Sequence, residues 1–331
     1  MASFNQYYKG IYYYTRAALI YRSLRSYLKK DFSSDLNFPN QLKEDYFYHQ
    51  SYYNRTKQYM NANHFFGELL CLLRGKPIRK EERMRFANLS SCAPIFDDFF
   101  EKGANLDHVF HLLKNPSPQN VQNESEELAV IFLNNILNSL SQKTEFLESS
   151  YLLFQAQSDS KSQNNQTLSK QELLDISLRK GGYSGLMYAH LLDDSKEKYF
   201  LEIAYLLGGL GQLMDDIFDI YDDAKEGIRT FANQSENLKE IREIIHNQIQ
   251  EIRQRFPTLS KENYQLYHFS NVLEIFITTI EIALQHYDEI EAKHKINPHQ
   301  CLQLDRKLWI VDMEKPANIW HLFQLSLSNL K

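Results

Sequence analysis

The sequence predicts an all-α protein, and three observations carry that prediction. Eleven Gly and eight Pro are few for a chain of 331 residues, so punctuating residues rarely interrupt it. Long stretches therefore run on without a stop signal, each able to form several helical turns. Val is scarce beside Leu and Ile, which argues against the β-branched runs of an α/β sheet. The length fits one large domain or two ordinary ones. A single α-helical domain over 1–331 is expected, with residues 1–60 as N-terminal capping helices. Phe and Tyr number 21 each, ample for aromatic packing between helices.

Taken in order, residues 8–30 alternate aromatic and basic side chains, from Tyr8 and Tyr12 through Arg16, Arg22 and Arg25 to Lys29 and Lys30. Such a helix either caps the bundle or lies on a membrane surface, and capping is the simpler expectation. Pro39 makes a loop, with a helix resuming near Gln41. Asn63 to Leu73 is an apolar helix stopped by Arg74-Gly75-Lys76-Pro77. The next helix opens with the basic stretch Arg79 to Arg85, either a solvated face or an anion contact, and ends at Gly103. Lys114 to Pro118 is a loop, and one helix is expected from about Ser125 to Phe154. Residues 155–171 are rich in Gln, Ser and Asn and are expected to form a mobile polar loop. Gly181-Gly182 then sit inside a helical stretch at about 1 kcal/mol each relative to Ala, which suggests a kink or a close approach to ligand. Nothing breaks a helix between Leu213 and Glu226, and Gly227 is its stop. Residues 236–256 read as a solvated outer helix and Leu266 to Ile290 as a long helix ending in His286-Tyr287. The tail carries Asp305-Arg306-Lys307, which either closes over a bound anion or caps the bundle.

Charge and cysteines exclude several classes. A net charge of −5 gives no global attraction to nucleic acid or to an anionic membrane. Cys71, Cys92 and Cys301 are odd in number and far apart, so they read as reduced packing residues. The first residues lack a secretory pattern, and no apolar run approaches the length of a membrane span. A cytoplasmic location follows as the expectation, with no nucleic acid partner, no integral membrane segment, and a homodimer permitted.

Two acidic clusters concentrate the chemistry. Asp97, Asp98 and Glu101 follow Pro94-Ile95-Phe96 and enclose Phe99-Phe100. Asp215, Asp216, Asp219 and Asp223 are interleaved with Met214, Ile217, Phe218, Ile220 and Tyr221. On a helix, Asp215, Asp219 and Asp223 stack on one face at i, i+4 and i+8, and like charges at that spacing cost roughly 0.2–0.5 kcal/mol per pair. Either both clusters are solvated acidic faces, or a cation offsets the cost. Carboxylate oxygens without His or Cys point to Mg²⁺.

The pair resembles the two aspartate-rich motifs of class I isoprenoid synthases, which include terpene synthases and trans-prenyltransferases. Asp97, Asp98 and Glu101 match the DDxx(x)D/E motif. The second cluster fits two patterns: Asp215, Asp216 and Asp219 fit DDxxD, whereas Asp215, Asp219 and Asp223 fit the cyclase metal triad. The resemblance covers roughly residues 65–315. It implies a helical bundle around a central apolar cavity, three Mg²⁺ ions (Mn²⁺ as a substitute) and a prenyl diphosphate substrate, with Asp97 essential to catalysis. It also implies diphosphate contacts: Lys180 first and Arg179 second, with Lys225 and Arg229 completing a clamp. Aromatic rings would then wall the cavity and stabilise a carbocation. The GGKRxRP-type segment is only faintly echoed at Gly75-Lys76-Pro77-Ile78-Arg79, and the RRGxP-type segment is replaced by Lys102-Gly103-Ala104-Asn105-Leu106-Asp107. The expectation is therefore a terpene synthase, a lyase that ionises and cyclises its substrate. Prenyl coupling by a prenyltransferase is the alternative, and a non-catalytic prenyl diphosphate binder is the third reading.

Overall fold

The computed structural model describes residues 4–49, 52–103, 105–193, 197–256 and 264–330. Every regular element among them is helical, as the shortage of breakers predicted. The chain opens with α1 (Phe4–Lys30), α2 (Phe32–Leu36), α3 (Gln41–His49), α4 (Tyr52–Arg74) and α5 (Lys80–Glu101). It continues through α6 (Leu106–Lys114), α7 (Glu124–Ser139), α8 (Lys143–Ser160) and α9 (Lys170–His190). Then come α10 (Lys198–Phe218), α11 (Ile220–Glu226), α12 (Leu238–Gln254), α13 (Tyr264–His294), α14 (Arg306–Trp309) and α15 (Pro316–Asn329).

The described helices fall into two compact units. One comprises Met1–Arg16, Asp159–Gly185 and Lys198–Lys331; the other comprises Ala17–Ser158 and Leu186–Glu197. In the second, α5 packs between α4 and α7, burying Phe86, Ile95, Phe99, Phe100, Phe132 and Ile136. Its N-terminus is built from charge. Glu82 accepts from the Arg79 backbone at 2.8 Å and from both terminal nitrogens of Arg74 at 2.6 Å, and Arg85 is buried against Asp193 and the Leu191 carbonyl. The basic stretch Arg79 to Arg85 thus anchors the start of α5. In the first unit, α12 is helical as expected, but it is amphipathic rather than solvated throughout. Leu238, Ile241, Ile245, Ile249 and Ile252 are buried while its charges face water.

Several boundaries depart from the sequence reading, each for a local reason. The helix expected over 125–154 is two helices. Arg85 donates to the Ser139 carbonyl at 2.6 Å, replacing the missing backbone donor at a helix end, and Leu140 turns extended. The polar stretch 155–171 was expected as a loop, yet α8 continues through Ser160 because Phe154 and Ala156 stay buried. A 3₁₀ turn over Lys161–Asn164 follows, and the remaining carbonyls of Asn165 and Leu168 are held by Arg229 at 2.7 and 3.2 Å. The expected kink at Gly181-Gly182 is absent, since α9 runs unbroken from Lys170 to His190. Conversely, the helix expected from Leu213 to Glu226 is interrupted at Asp219 (φ −99°, ψ 15°). The Tyr287 hydroxyl donates to the Ile217 carbonyl at 2.9 Å just before the break, an intrusion of the kind that bends a helix. Gly227 ends α11 in the left-handed conformation at φ 77°, as the sequence predicted.

Candidate functional site

The glycines of α9 and α10 set the second acidic cluster in place. A Cβ added at Gly181 would meet the Gly208 carbonyl oxygen at 2.3 Å, and one at Gly185 would meet the Ala204 oxygen at 2.1 Å. Only glycine permits backbones this close, so the close approach anticipated for Gly181 is to a neighbouring helix. Ser177, Gly181 and Gly185 lie on one stripe at four-residue spacing, facing Ala204, Gly208 and Gln212. One turn further along the contact, the Ser177 hydroxyl donates to Asp216 Oδ2 at 2.5 Å. Gln212 Nε2 donates to Asp216 Oδ1 at 2.9 Å and to Asp215 Oδ2 at 3.2 Å.

The carboxylates of this cluster repel one another. Asp216 is buried, and its pKa is raised to about 6 by desolvation and the neighbouring Asp215, against hydrogen bonds from Ser177 and Gln212. Asp219 is likewise raised to about 6 by desolvation and by Asp215, Asp222 and Asp216. Asp223 reaches about 8, from desolvation and from Asp216, Asp219 and Asp215, with Lys180 opposing. The i to i+4 backbone bonds Asp219 N to Asp215 O and Asp223 N to Asp219 O, both 2.9 Å, persist through the break. The stacked face read from the sequence is therefore kept.

The basic candidates divide by what holds them. Lys180 is half-buried and favours the charged forms of both Asp216 and Asp223, which places it at the cluster. Arg179 pairs with Asp159 at 3.2 Å on the exposed side. Lys225 is exposed on α11 and favours the charged form of Asp222. Arg229 spends its donors on Asn165, Leu168 and Gln234, so it pins the α8–α9 connection. Arg306 belongs to the tail segment expected either to close over a bound anion or to cap the bundle. Its fork reaches both oxygens of Asp222 at 2.6 and 2.5 Å and holds that carboxyl below its usual pKa.

The first cluster is organised differently. Asp98 is buried between Arg55 and Lys102, the latter at 2.8 Å. Burial would raise its pKa, but these two partners outweigh burial and lower it. Asp97 accepts a hydrogen bond from the Tyr59 hydroxyl, and desolvation together with Asp97 pushes the phenol's pKa upward. Glu101 closes α5, and its side chain lies outside the described residues. Arg55 and Tyr59 stand one turn apart on α4. Sequence reasoning missed them because no acidic motif marks α4; the i, i+4 pairing of a base and a phenol was the only trace.

Among the described residues, no three acidic, His or Cys side chains converge closely enough to hold a metal ion. The second cluster nevertheless suits one chemically. It offers hard oxygen donors only, and burial, together with the neighbouring carboxylates, drives three of its carboxyls toward the protonated form.

No protein-family model matches this chain, and no characterised protein matches it in sequence. Among solved structures it is similar to a dehydrosqualene synthase crystallised in complex with ligand, at 14% identity and a TM-score of 0.50, covering 85% of this chain and 98% of that one. At this identity the likeness shows the fold: an all-α fold of the isoprenoid synthase type. No described helix is long and apolar enough to cross a membrane.

Proposed function

We propose that this chain is a Mg²⁺-dependent enzyme that ionises an allylic prenyl diphosphate, and that it acts as a terpene synthase. The observation that carries the reading is the stacked, partly buried face of Asp215, Asp216, Asp219 and Asp223 beside Lys180. It is supported by a fold shared with a dehydrosqualene synthase. Asp215, Asp219 and Asp223 would hold Mg²⁺, and Asp97, Asp98 and Glu101 are assigned to the same task at the first cluster. Bound there, Mg²⁺ would supply charge stabilisation for the diphosphate leaving group as the C–O bond breaks. Lys180 adds a fixed positive charge for a phosphate oxygen. Ser177 and Gln212 hold Asp216 in one orientation, so the cluster needs little reorganisation when charge develops. The allylic cation then loses a proton or takes up water after rearrangement, giving a hydrocarbon or an alcohol.

Coupling of two prenyl units is the second reading, favoured by the name of the structural neighbour and by Asp216, which completes DDxxD. Incubation with Mg²⁺ and geranyl, farnesyl or geranylgeranyl diphosphate, each with and without isopentenyl diphosphate, separates the readings. A hydrocarbon or alcohol of unchanged carbon number, lost in Asp219→Ala, is expected. Products of doubled carbon number, or longer diphosphates formed only with isopentenyl diphosphate, would replace the synthase reading with coupling. No turnover of any of these by folded protein would leave a binder.

A further inference from the structure

Helix α13 reaches the break between α10 and α11, and every group involved lies in the first unit. Two backbone carbonyls flank the break, and each is taken by a side chain from later in the sequence. The Tyr287 hydroxyl donates to the Ile217 carbonyl at 2.9 Å, and the Cys301 thiol donates to the Ile220 carbonyl at 3.7 Å. Tyr287, Cys301, Ile217 and Ile220 are all buried. Burial, and after it the neighbouring Asp219, raises the pKa of the phenol, so its hydroxyl remains a donor. The ring of Tyr287 packs on buried Trp309 with centroids 5.3 Å apart, and the Trp309 carbonyl lies 3.4 Å from the same hydroxyl. The strap that carries Trp309 is fastened twice more. The Leu308 carbonyl accepts from His286 Nε2 at 2.6 Å, and Arg306 grips Asp222 on α11.

These contacts bear on the acidic face because of where the break falls. Asp215 and Asp216 precede it on α10, Asp219 is the residue at which it occurs, and Asp223 follows it on α11. The four carboxyls therefore ride on two helical pieces, and their mutual setting depends on what fixes the joint. Repulsion between like charges favours letting the pieces move apart. Yet the bonds from Asp219 N to Asp215 O and from Asp223 N to Asp219 O both stay at 2.9 Å. A hydrogen bond to the Ile217 carbonyl holds main chain rather than a single side chain, so it constrains all the carboxyls together. We propose that Tyr287 is a positioning residue for the second acidic cluster. By holding the Ile217 carbonyl it locks the joint and keeps Asp215, Asp219 and Asp223 on one face, with Trp309 backing its ring. The role deepens the Mg²⁺ reading proposed above and rests on it for its purpose, since Tyr287 itself is assigned no contact with ion or substrate.

The test compares two variants of the full chain. Tyr287→Phe keeps the ring on Trp309 and removes the hydroxyl. Tyr13→Phe removes another buried hydroxyl, the one bonded to His268 Nδ1 at 2.8 Å. His268 and Tyr287 share α13 and stand about 28 Å apart along its axis at 1.5 Å per residue. Both changes cost a buried hydrogen bond, so stability alone does not separate them. In the metal-free protein, amide exchange at Asp219 and Asp223 should quicken by about tenfold or more in Tyr287→Phe and stay unchanged in Tyr13→Phe. Mg²⁺ affinity by titration calorimetry should fall about tenfold, the lower end for outer partners of metal ligands, again in Tyr287→Phe alone. Equal exchange in the two variants would overturn the proposal, and so would faster exchange in Tyr287→Phe with the wild-type Mg²⁺ affinity. The wild type carries its own check should Tyr287→Phe not fold: its Asp219 and Asp223 amides should exchange as slowly as that of Leu213 within α10, and fast exchange there would mean an unlocked joint. A wild type that binds no Mg²⁺ would instead remove the metal reading, and the exchange comparison, made without metal, still decides whether Tyr287 holds the joint.

Discussion

In α4 and α5, Asp98 lies between Arg55 and Lys102 and Asp97 is capped by Tyr59. Along α10 and α11, Asp215, Asp216, Asp219 and Asp223 follow one another, opposed by Lys180 and Arg306 through space and, at Asp216, by hydrogen bonds from Ser177 and Gln212. The two clusters look alike in sequence: each opens with an Asp pair, continues with another acid and is interleaved with aromatics. Their electrostatics have opposite signs. Protein cations pull the Asp98 pKa down, while burial and like charge push those of Asp216, Asp219 and Asp223 up. A carboxylate with its own counter-ion contributes to the fold as it stands. Carboxylates left to repel cost stability, and that cost is relieved when they take up a proton or when a cation arrives.

The largest expected effect of breaking this contrast is on metal-dependent turnover. Outer partners of a metal ligand are already worth about 10–100-fold. Replacing Asp219 or Asp223 by Ala should therefore lower activity, and Mg²⁺ affinity measured by titration calorimetry, by more than about 100-fold. Replacing Arg55 by Gln should not lower Mg²⁺ affinity. A variant of Asp219 with normal Mg²⁺ binding would remove the second cluster from the mechanism.

Next in size is a reversal of sign in stability without Mg²⁺. Asp98→Asn breaks two charged hydrogen bonds, worth about 1–3 kcal/mol, although Lys102 is largely exposed and contributes least of that. The same change at Asp223 removes repulsion and should raise stability by about 0.5–2 kcal/mol, the usual gain when charge is relieved at a functional site. Urea denaturation of the two variants, side by side, decides it. If both are destabilised, the second cluster is no less compensated than the first.

The sequence could disclose the helices, the Gly227 stop and the i, i+4, i+8 face because these depend on residue type and local spacing. It could not disclose which cluster is neutralised, because Arg55 and Tyr59 reach α5 from a helix about 40 residues earlier with no motif of their own. Gly181 was legible as unusual, but not as a contact with Gly208, since the partner helix is set by tertiary packing. The break at Asp219 follows the Ile217 carbonyl, which accepts from Tyr287, 70 positions further on. Arg229 was credited to diphosphate, yet its side chain anchors the 165–168 connection, a task no spacing rule could assign.

The contrast also fixes a pH dependence. Asp216 and Asp219 titrate near 6 and Asp223 near 8 in the folded chain, whereas an unfolded Asp titrates near 3.9. A raised folded pKa means that the native state binds the proton more tightly, so stability is fully present below about pH 4 and is lost as pH rises through 6 to 8. Without Mg²⁺ the Tm should fall between pH 5 and pH 8. With Mg²⁺ the fall should flatten, because the ion binds the deprotonated ligands. A Tm that rises with pH in the metal-free protein would mean that carboxylates of the Asp98 type dominate instead.

The smallest effect isolates one hydrogen bond. Ser177 donates to Asp216 at 2.5 Å across the α9–α10 contact and helps hold the Asp216 pKa at about 6 against desolvation. Ser177→Ala leaves a buried carboxyl short of a donor, so Asp216 should titrate higher still. The cost should be about 1–2 kcal/mol at pH 8, where the charged form must be accommodated, and less at pH 5, where the carboxyl is already protonated. Urea denaturation of wild type and variant at both pH values measures the difference. A loss equal at pH 5 and pH 8 would show that the hydroxyl serves packing alone, and that the close glycine contact between α9 and α10 does not tune the acidic face.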